Sequence, residues 1–196
     1  MPPLAHAMIL AAGRGERMRP LSDVTPKPLL TVGGKPLIAW QIEALARAGF
    51  RDIVVNVAHR AERMLEVIGD GATFGVRIAW SREAEPLETA GGIATASPLL
   101  APGPALIVSG DIWTRFDYAT LVPCMTALAT DASRRAHLVM VPNPPYHAAG
   151  DFALAGERLR LVETDGYSIP GVAFVTLTTT CTDLVDEHPP LDVPVM

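Results

Sequence analysis

Apolar residues along this chain fall into short unbroken runs that alternate with longer stretches of helical spacing. Ala7–Leu10, Asp52–Val57 (DIVVNV), Val76–Trp80 and Ala105–Ser109 (ALIVS) are compact runs bounded by turn residues, as expected of buried strands. Between them Ile38, Ile42 and Leu45 recur at i, i+4 and i+7, which predicts a helix over Pro36–Ala48 stopped by Gly49. Ala61–Ile68, ended by Gly69, then Thr89–Leu100 and Tyr118–Thr130, read as further helices, and His137–Val141 as a fifth strand. This strand–helix alternation predicts an α/β fold built on a doubly wound, mostly parallel sheet. Ligands in such sheets bind beyond the carboxyl ends of the strands. The loops after Leu10 and after Ser109 are therefore where chemistry is expected.

Past Pro142 the pattern changes. Asn143-Pro144-Pro145-Tyr146-His147 reads as a loop, and Asp151–Leu154 and Arg158–Leu161, separated by Ala155-Gly156-Glu157, as a β-hairpin. Val172–Leu177 fits one more strand, whereas Thr178–Met196 has no firm period. No internal repeat or linker divides the 196 residues, so a single domain spanning 1–196 is expected.

Composition narrows the partners. Hydrophobic residues make up 49% and charged residues 19% of the chain, enough for a packed core and against disorder. A net charge of −5 argues against a nucleic-acid-binding surface. Cys124 and Cys181 have neither metal-site spacing nor the numbers for a disulfide framework. Met1–Arg19 has an apolar stretch without a positive region before it or a convincing cleavage site, and no apolar run reaches membrane-spanning length. A reducing cytoplasm, away from membranes, is the expected setting.

Within this acidic chain the cations Arg14, Arg17, Arg19 and Lys27 crowd into one stretch, LAAGRGERMRPLSDVTPKPLLTVGGKPL, from Leu10 to Leu37. Leu10, Ala11, Ala12, Gly13, Arg14 and Gly15 form a small-residue loop straight after the first strand, where backbone N–H groups can approach phosphate oxygens. A backbone nest joined to several cations suits phosphoryl chemistry, in which positioning and charge stabilisation do most of the catalysis. The loop is not a Walker A motif, because the string G-x-x-x-x-G-K-[ST] is absent. Nor is it a dinucleotide fingerprint, since Met18 stands where the third glycine would be. Asp111, following an apolar strand and Gly110, puts a carboxylate at a strand's carboxyl end, a suitable position for a Mg²⁺ ligand. Gly91 and Gly92, in Glu85-Pro86-Leu87-Glu88-Thr89-Ala90-Gly91-Gly92, would permit close approach of a ligand to which Glu88 and Thr89 offer polar groups.

The loop and its continuation through Pro26-Lys27-Pro28-Leu29 and Gly34-Lys35-Pro36-Leu37 resemble the signature of sugar-1-phosphate nucleotidyltransferases. The segment HLVMVPNPPYHAAGDFAL, from His137 to Leu154, looks like that of the compact N-acetylmuramate-α-1-phosphate uridylyltransferases of bacterial cell-wall recycling. The resemblance extends from about Ala7 to Leu161. It implies a Rossmann-like nucleotidyltransferase fold with a small β-hairpin extension, a nucleotide-binding part over about 1–115 and a sugar-binding part over about 116–196, atypical after about 165. It also implies that Arg17 neutralises the leaving pyrophosphate, that Lys27 serves the α-phosphate and the sugar phosphate, and that Asp111 binds Mg²⁺. Glu88, Thr89 and Gly91 would approach the base and ribose, and Asn143, Gly150 and Asp151 would line the sugar side. Tyr146 and His147 read as packing and loop residues, and Glu163 matches a sugar-contacting acid only weakly. The family's second metal carboxylate has no counterpart, Leu191-Asp192-Val193 being a faint echo.

The expected reaction is therefore transfer of a nucleotidyl group from an NTP to a sugar 1-phosphate, with UTP and N-acetylmuramate α-1-phosphate as first choice. A mannose-1-phosphate guanylyltransferase or a glucose-1-phosphate thymidylyltransferase is the alternative within the class. A nucleotide-binding protein with impaired catalysis is the alternative outside it.

Overall fold

The computed structural model describes residues 7–131 and 136–140, together with the backbone of four later strands. In chain order the strands are β1 (Ala7–Leu10), β2 (Thr31–Val32), β3 (Lys35–Pro36), β4 (Asp52–Val57), β5 (Arg77–Arg82), β6 (Ala105–Ser109), β7 (Phe152–Ala155), β8 (Arg158–Leu161), β9 (Thr176–Leu177) and β10 (Val193–Pro194). The α-helices are α1 (Leu21–Val24), α2 (Leu37–Arg47), α3 (Ala61–Ile68), α4 (Glu88–Ala96) and α5 (Val122–Thr130). The main sheet has the order β5-β4-β1-β6-β9. Its first four strands are parallel and β9 runs antiparallel to β6.

Helices cover both faces, and the period-two alternation of the strands sorts residues between them. Ala7 and Ile9 of β1, Ile53 and Val55 of β4, and Leu106 and Val108 of β6 point to one layer, where they meet Ile38, Ile42 and Leu45 of α2, Met64 and Ile68 of α3, and Met125 of α5. Met8, Val54 and Ile107 point the other way, onto Ile93 and Ala96 of α4. Burial on both faces is why these strands are apolar at every step. The doubly wound, mostly parallel fold read from the sequence is the one observed.

Register positions the site. Leu10 lies level with Asn56 on one side and Ser109 on the other, so the carboxyl ends of β1, β4 and β6 open at one height. The order reverses between β1 and β6, since successive strands run outward from β1 through β4 to β5 while β6 falls on its other side. That reversal leaves a crevice at the ends of the two strands, the usual ligand position in this architecture. Arg77 and Arg82 sit at the two ends of edge strand β5, where they pair with Asp52 (2.5 Å) and Glu62 (2.8 Å).

Four expectations need adjusting. The fifth strand at His137–Val141 reduces, over its described residues, to a single bridge at Leu138. The helix at Tyr118–Thr130 opens as a 3₁₀ turn, Tyr118–Leu121, and becomes α-helical at Val122, with Pro123 in its first turn, where a missing N–H costs nothing. The helix expected to reach Leu100 ends at Ala96 and tightens into 3₁₀ over Ser97–Leu99, around Pro98. Two Val193–Pro194 residues from the segment without a period pair with β8 as a third strand beside the β7–β8 hairpin. Among the described residues no helix is long and apolar enough to cross a membrane.

Candidate active site

The crevice at the strand-order reversal is a cleft of about 610 Å³. Its floor and one wall are the loop after β1, Leu10 to Gly15, continuing past Arg17; its other walls are Lys27, the 85–89 turn, and Ser109 with Asp111. Of the residues singled out from sequence, Leu10, Ala11, Ala12, Gly13, Arg14, Gly15, Arg17, Lys27, Glu88, Thr89 and Asp111 all line it. Arg19 does not, and its guanidinium turns to Asp23 at 3.3 Å and Glu16 at 3.9 Å.

Backbone geometry explains the glycines. Gly15 has φ +64°, a left-handed conformation that favours glycine, and a Cβ there would stand 3.1 Å from Lys27 Cβ. Gly13 faces open space, with nothing within 4 Å of a hypothetical Cβ. Gly110 is a close approach: its N–H donates to the Leu10 carbonyl at 2.8 Å, and a Cβ would lie 2.9 Å from Ile9 Cγ2. Asp111 is thereby held against the end of β1.

Lys27 Nζ meets Asp111 Oδ2 at 2.6 Å, and the Ser109 hydroxyl donates to Asp111 Oδ1 at 2.6 Å. Burial pushes the Asp111 carboxyl up, but the hydrogen bonds from Lys27 and Ser109 and the charge of Lys27 outweigh it. The carboxyl therefore titrates below its ordinary 3.8 and is ionised throughout the neutral range. Behind it, the Gln41 side chain, buried on α2, donates from Nε2 to the Ile112 carbonyl at 2.8 Å and accepts from the Tyr118 hydroxyl. Burial pushes the Tyr118 phenol far up, so it stays a donor.

Sequence reasoning missed a second set of polar groups: Asn56 and Glu83, both buried, and Ser109. A polar residue inside an apolar strand run is the available signal, because a buried polar group needs a partner. Gly91 does not reach the cleft; a Cβ there would stand 2.7 Å from Leu87 Cβ, so its smallness serves the packing of α4. Gly92 likewise packs on Asn56 and Glu83. Asn143, Tyr146, His147, Gly150, Asp151, Glu163 and Asp192 lie outside the described residues.

The arrangement can grip a polyanion with loop N–H groups and cations, and can hold a divalent ion beside it. A nucleotidyl transferase family model matches residues 6–150. Over 161 residues the chain is 50% identical to an N-acetylmuramate alpha-1-phosphate uridylyltransferase from Neisseria meningitidis serogroup B, a match covering 82% of this chain and 69% of that protein. Over 120 residues it is 40% identical to the mannose-1-phosphate guanylyltransferase catalytic subunit beta of Drosophila pseudoobscura pseudoobscura. That match covers 60% of this chain and only 32% of the longer protein. Among solved structures, HddC from Yersinia pseudotuberculosis superposes with a TM-score of 0.76 at 18% identity, covering 98% of this chain and 89% of that one.

Proposed function

The chain belongs to the nucleotidyl transferase family, and on that premise we propose that it transfers a uridylyl group from UTP to N-acetylmuramate α-1-phosphate. The observation that carries the reading is the Lys27–Asp111 pair, 2.6 Å apart, at the mouth of the glycine loop. The similarity to the Neisseria uridylyltransferase supports the choice of substrates. A phosphate oxygen of the sugar 1-phosphate attacks the α-phosphorus in line. The bond from that phosphorus to the bridging oxygen of the β-phosphate breaks, and pyrophosphate leaves with the electron pair. No protein nucleophile is needed, so the protein's work is positioning and charge neutralisation.

The loop N–H groups beyond Ala11 cradle the triphosphate, and Arg17 neutralises the departing pyrophosphate. Lys27 holds the α-phosphate and the incoming sugar phosphate. Glu88 and Thr89 stand on the cleft wall toward base and ribose, and the sugar side falls to Asn143, Gly150 and Asp151. Asp111 offers one carboxylate beside a hydroxyl, and no group of three or more metal-ligating side chains exists among the described residues. This donor set fits Mg²⁺, which commonly takes one or two carboxylates and completes its shell with phosphate oxygens and water. Bound at Asp111, Mg²⁺ would supply charge neutralisation at the phosphates.

The test is pyrophosphate release in Mg²⁺ from UTP with the 1-phosphates of N-acetylmuramate, glucose, N-acetylglucosamine and mannose. Release with the first is expected. In the same assay with GTP or dTTP in place of UTP, release restricted to GTP with mannose 1-phosphate, or to dTTP with glucose 1-phosphate, would replace the substrates. UTP binding without release from any pair would favour a nucleotide-binding protein with impaired catalysis.

A further inference from the structure

Beyond the last backbone pairs of β1, β4 and β5, two walls of the cleft are tied to each other by buried side chains. Asn56, at the end of β4, is 2% exposed and Glu83, just past β5, is 7% exposed. The Ala11 N–H donates to Asn56 Oδ1 at 2.7 Å. Asn56 Nδ2 donates to Glu83 Oε1 at 2.7 Å, and the Leu87 N–H donates to Glu83 Oε2 at 3.1 Å. The direction of every bond is determined. A backbone N–H can only donate, which turns the oxygen of Asn56 toward Ala11 and its amide nitrogen toward Glu83. Glu83 then accepts at both oxygens, as a carboxylate does. Helix α4 closes over the chain of bonds through Gly92, where a Cβ would stand 2.6 Å from Asn56 Nδ2 and 2.9 Å from Glu83 Oε1.

We propose that Asn56 and Glu83 form a positioning relay that sets the separation between the glycine loop and the 85–89 turn, and so determines nucleotide affinity. One end of the relay fixes Ala11, which begins the loop; the other fixes Leu87, next to Glu88 and Thr89 on the opposite wall. Neither residue is a catalytic group. The Ala11 N–H is committed to Asn56, which leaves the later N–H groups of the loop to face the phosphates. The relay rests on the nucleotidyl-transfer reading only for the identity of what fills the cleft.

Reversing the relay's polarity tests it. Asn56→Asp alone sets two carboxylates facing each other, and Glu83→Gln alone presents an amide N–H to one of the two N–H donors. Assayed at a pH where both carboxylates of the Asn56→Asp variant are ionised, each variant breaks one of the three bonds. In the double variant Asn56→Asp/Glu83→Gln, Asp accepts from Ala11 and from the glutamine amide nitrogen, while the glutamine oxygen accepts from Leu87. All three bonds are regained with the net charge unchanged. Each single variant is expected to raise KM for UTP by about tenfold or more, the equivalent of one hydrogen bond to a charged group, with little change in kcat. The double variant is expected to return KM to within about threefold of the parent. A double variant no better than the singles, in proteins that all melt cooperatively, overturns the relay. So does a single variant that loses only melting temperature while KM stays at the parent value. Amide exchange on the parent protein supplies a readout that needs neither variants nor turnover. Ala11 and Leu87 N–H should exchange slowly, at rates close to those of β1. Exchange at loop rates overturns the relay, whereas protected amides in a protein that releases no pyrophosphate would leave the relay standing and remove the proposed reaction.

Discussion

Lys27 Nζ and Asp111 Oδ2, 84 residues apart in the chain, meet at 2.6 Å where the strand order of the sheet reverses. Lys27 comes from the 3₁₀ turn Lys27–Leu29, and Asp111 is held through Gly110 against Leu10. The pair is a preformed charge arrangement at the cleft mouth, with both side chains roughly a third exposed (28% and 33%). In that setting the pairing adds little to global stability. Its significance lies in keeping a carboxylate ionised and a cation aimed at one point in the cleft.

Replacing Lys27 by Met removes two of the influences that hold Asp111 down, its hydrogen bond and its charge, and leaves burial opposed by the Ser109 hydroxyl and a backbone hydrogen bond. The Asp111 carboxyl should then titrate higher than in the parent, as followed by NMR of its carboxyl carbon. In the parent, a carboxyl depressed in the folded state contributes stability above its unfolded pKa, near 3.8, and loses it as pH falls through the folded value. Lys27→Met should therefore weaken this fall in acid. Turnover should drop on the order of 10²–10³-fold, as when one preorganised electrostatic contact is lost. An unmoved Asp111 titration would mean that the ion pair does not persist in solution.

Two glycines of the site should respond in opposite ways to alanine. Gly110→Ala drives a methyl to 2.9 Å from Ile9 Cγ2 and 3.1 Å from the Leu10 carbonyl, so the strand ends must shift, at about 1–3 kcal/mol. Gly13→Ala meets nothing within 4 Å and should leave stability within about 0.5 kcal/mol of the parent. Its methyl nevertheless enters the open space that the proposed function gives to phosphate, so nucleotide binding should weaken. Paired urea melts and calorimetric UTP titrations check both; a destabilised Gly13→Ala would contradict the open geometry.

Glu88 adopts φ +57° at the start of α4, although it is not glycine. For an L-residue that conformation costs roughly 1–2 kcal/mol. Glu88→Ala keeps the strain and Glu88→Gly relieves it, while both delete the carboxylate from the cleft wall. The glycine variant should be more stable than the alanine variant by about 1 kcal/mol. Both should share one and the same KM for UTP. Equal melting temperatures would show that the backbone relaxes out of this conformation in solution.

Tyr118→Phe removes the donor to buried Gln41 and leaves an unsatisfied amide oxygen behind the Asp111 turn. The cost should be about 1–3 kcal/mol in urea unfolding. Because Gln41 also secures the Ile112 carbonyl, the Mg²⁺ concentration needed for half-maximal rate should rise as well. Lost stability with unchanged Mg²⁺ dependence would confine Tyr118 to a packing role.

How much was legible beforehand follows from burial. β1, β4 and β6 are buried on both faces, so unbroken apolar runs marked them at the observed bounds, and with them the cleft end of Leu10 and Asp111. β5 is an edge strand whose last residues, Ser81 and Arg82, look like turn residues, so the apolar run marks it as Val76–Trp80 and not as Arg77–Arg82. The two-residue strands of the β2–β3 hairpin are too short to show a period, although Gly33-Gly34 marks the turn. Asn56 and Gln41 were visible as polar residues in apolar patterns, but their partners lie 27 and 77 positions away, and only the fold brings them together. Gly91 and Gly92 were read for ligand approach because a glycine that makes room for a helix neighbour looks the same in one dimension.

The arginines of β5 bear on how this molecule behaves among copies of itself. A marginal strand in an open sheet offers a row of unpaired N–H and C=O groups to any passing chain. Here both ends of that row carry a guanidinium tethered to a carboxylate of the adjoining element, Arg77 to Asp52 and Arg82 to Glu62. A second β5 approaching antiparallel would bring arginine against arginine at each end, a like-charge meeting that discourages strand-to-strand growth. The strand leading to Glu83 and the 85–89 turn thus also carries charge at both ends of the sheet's open edge.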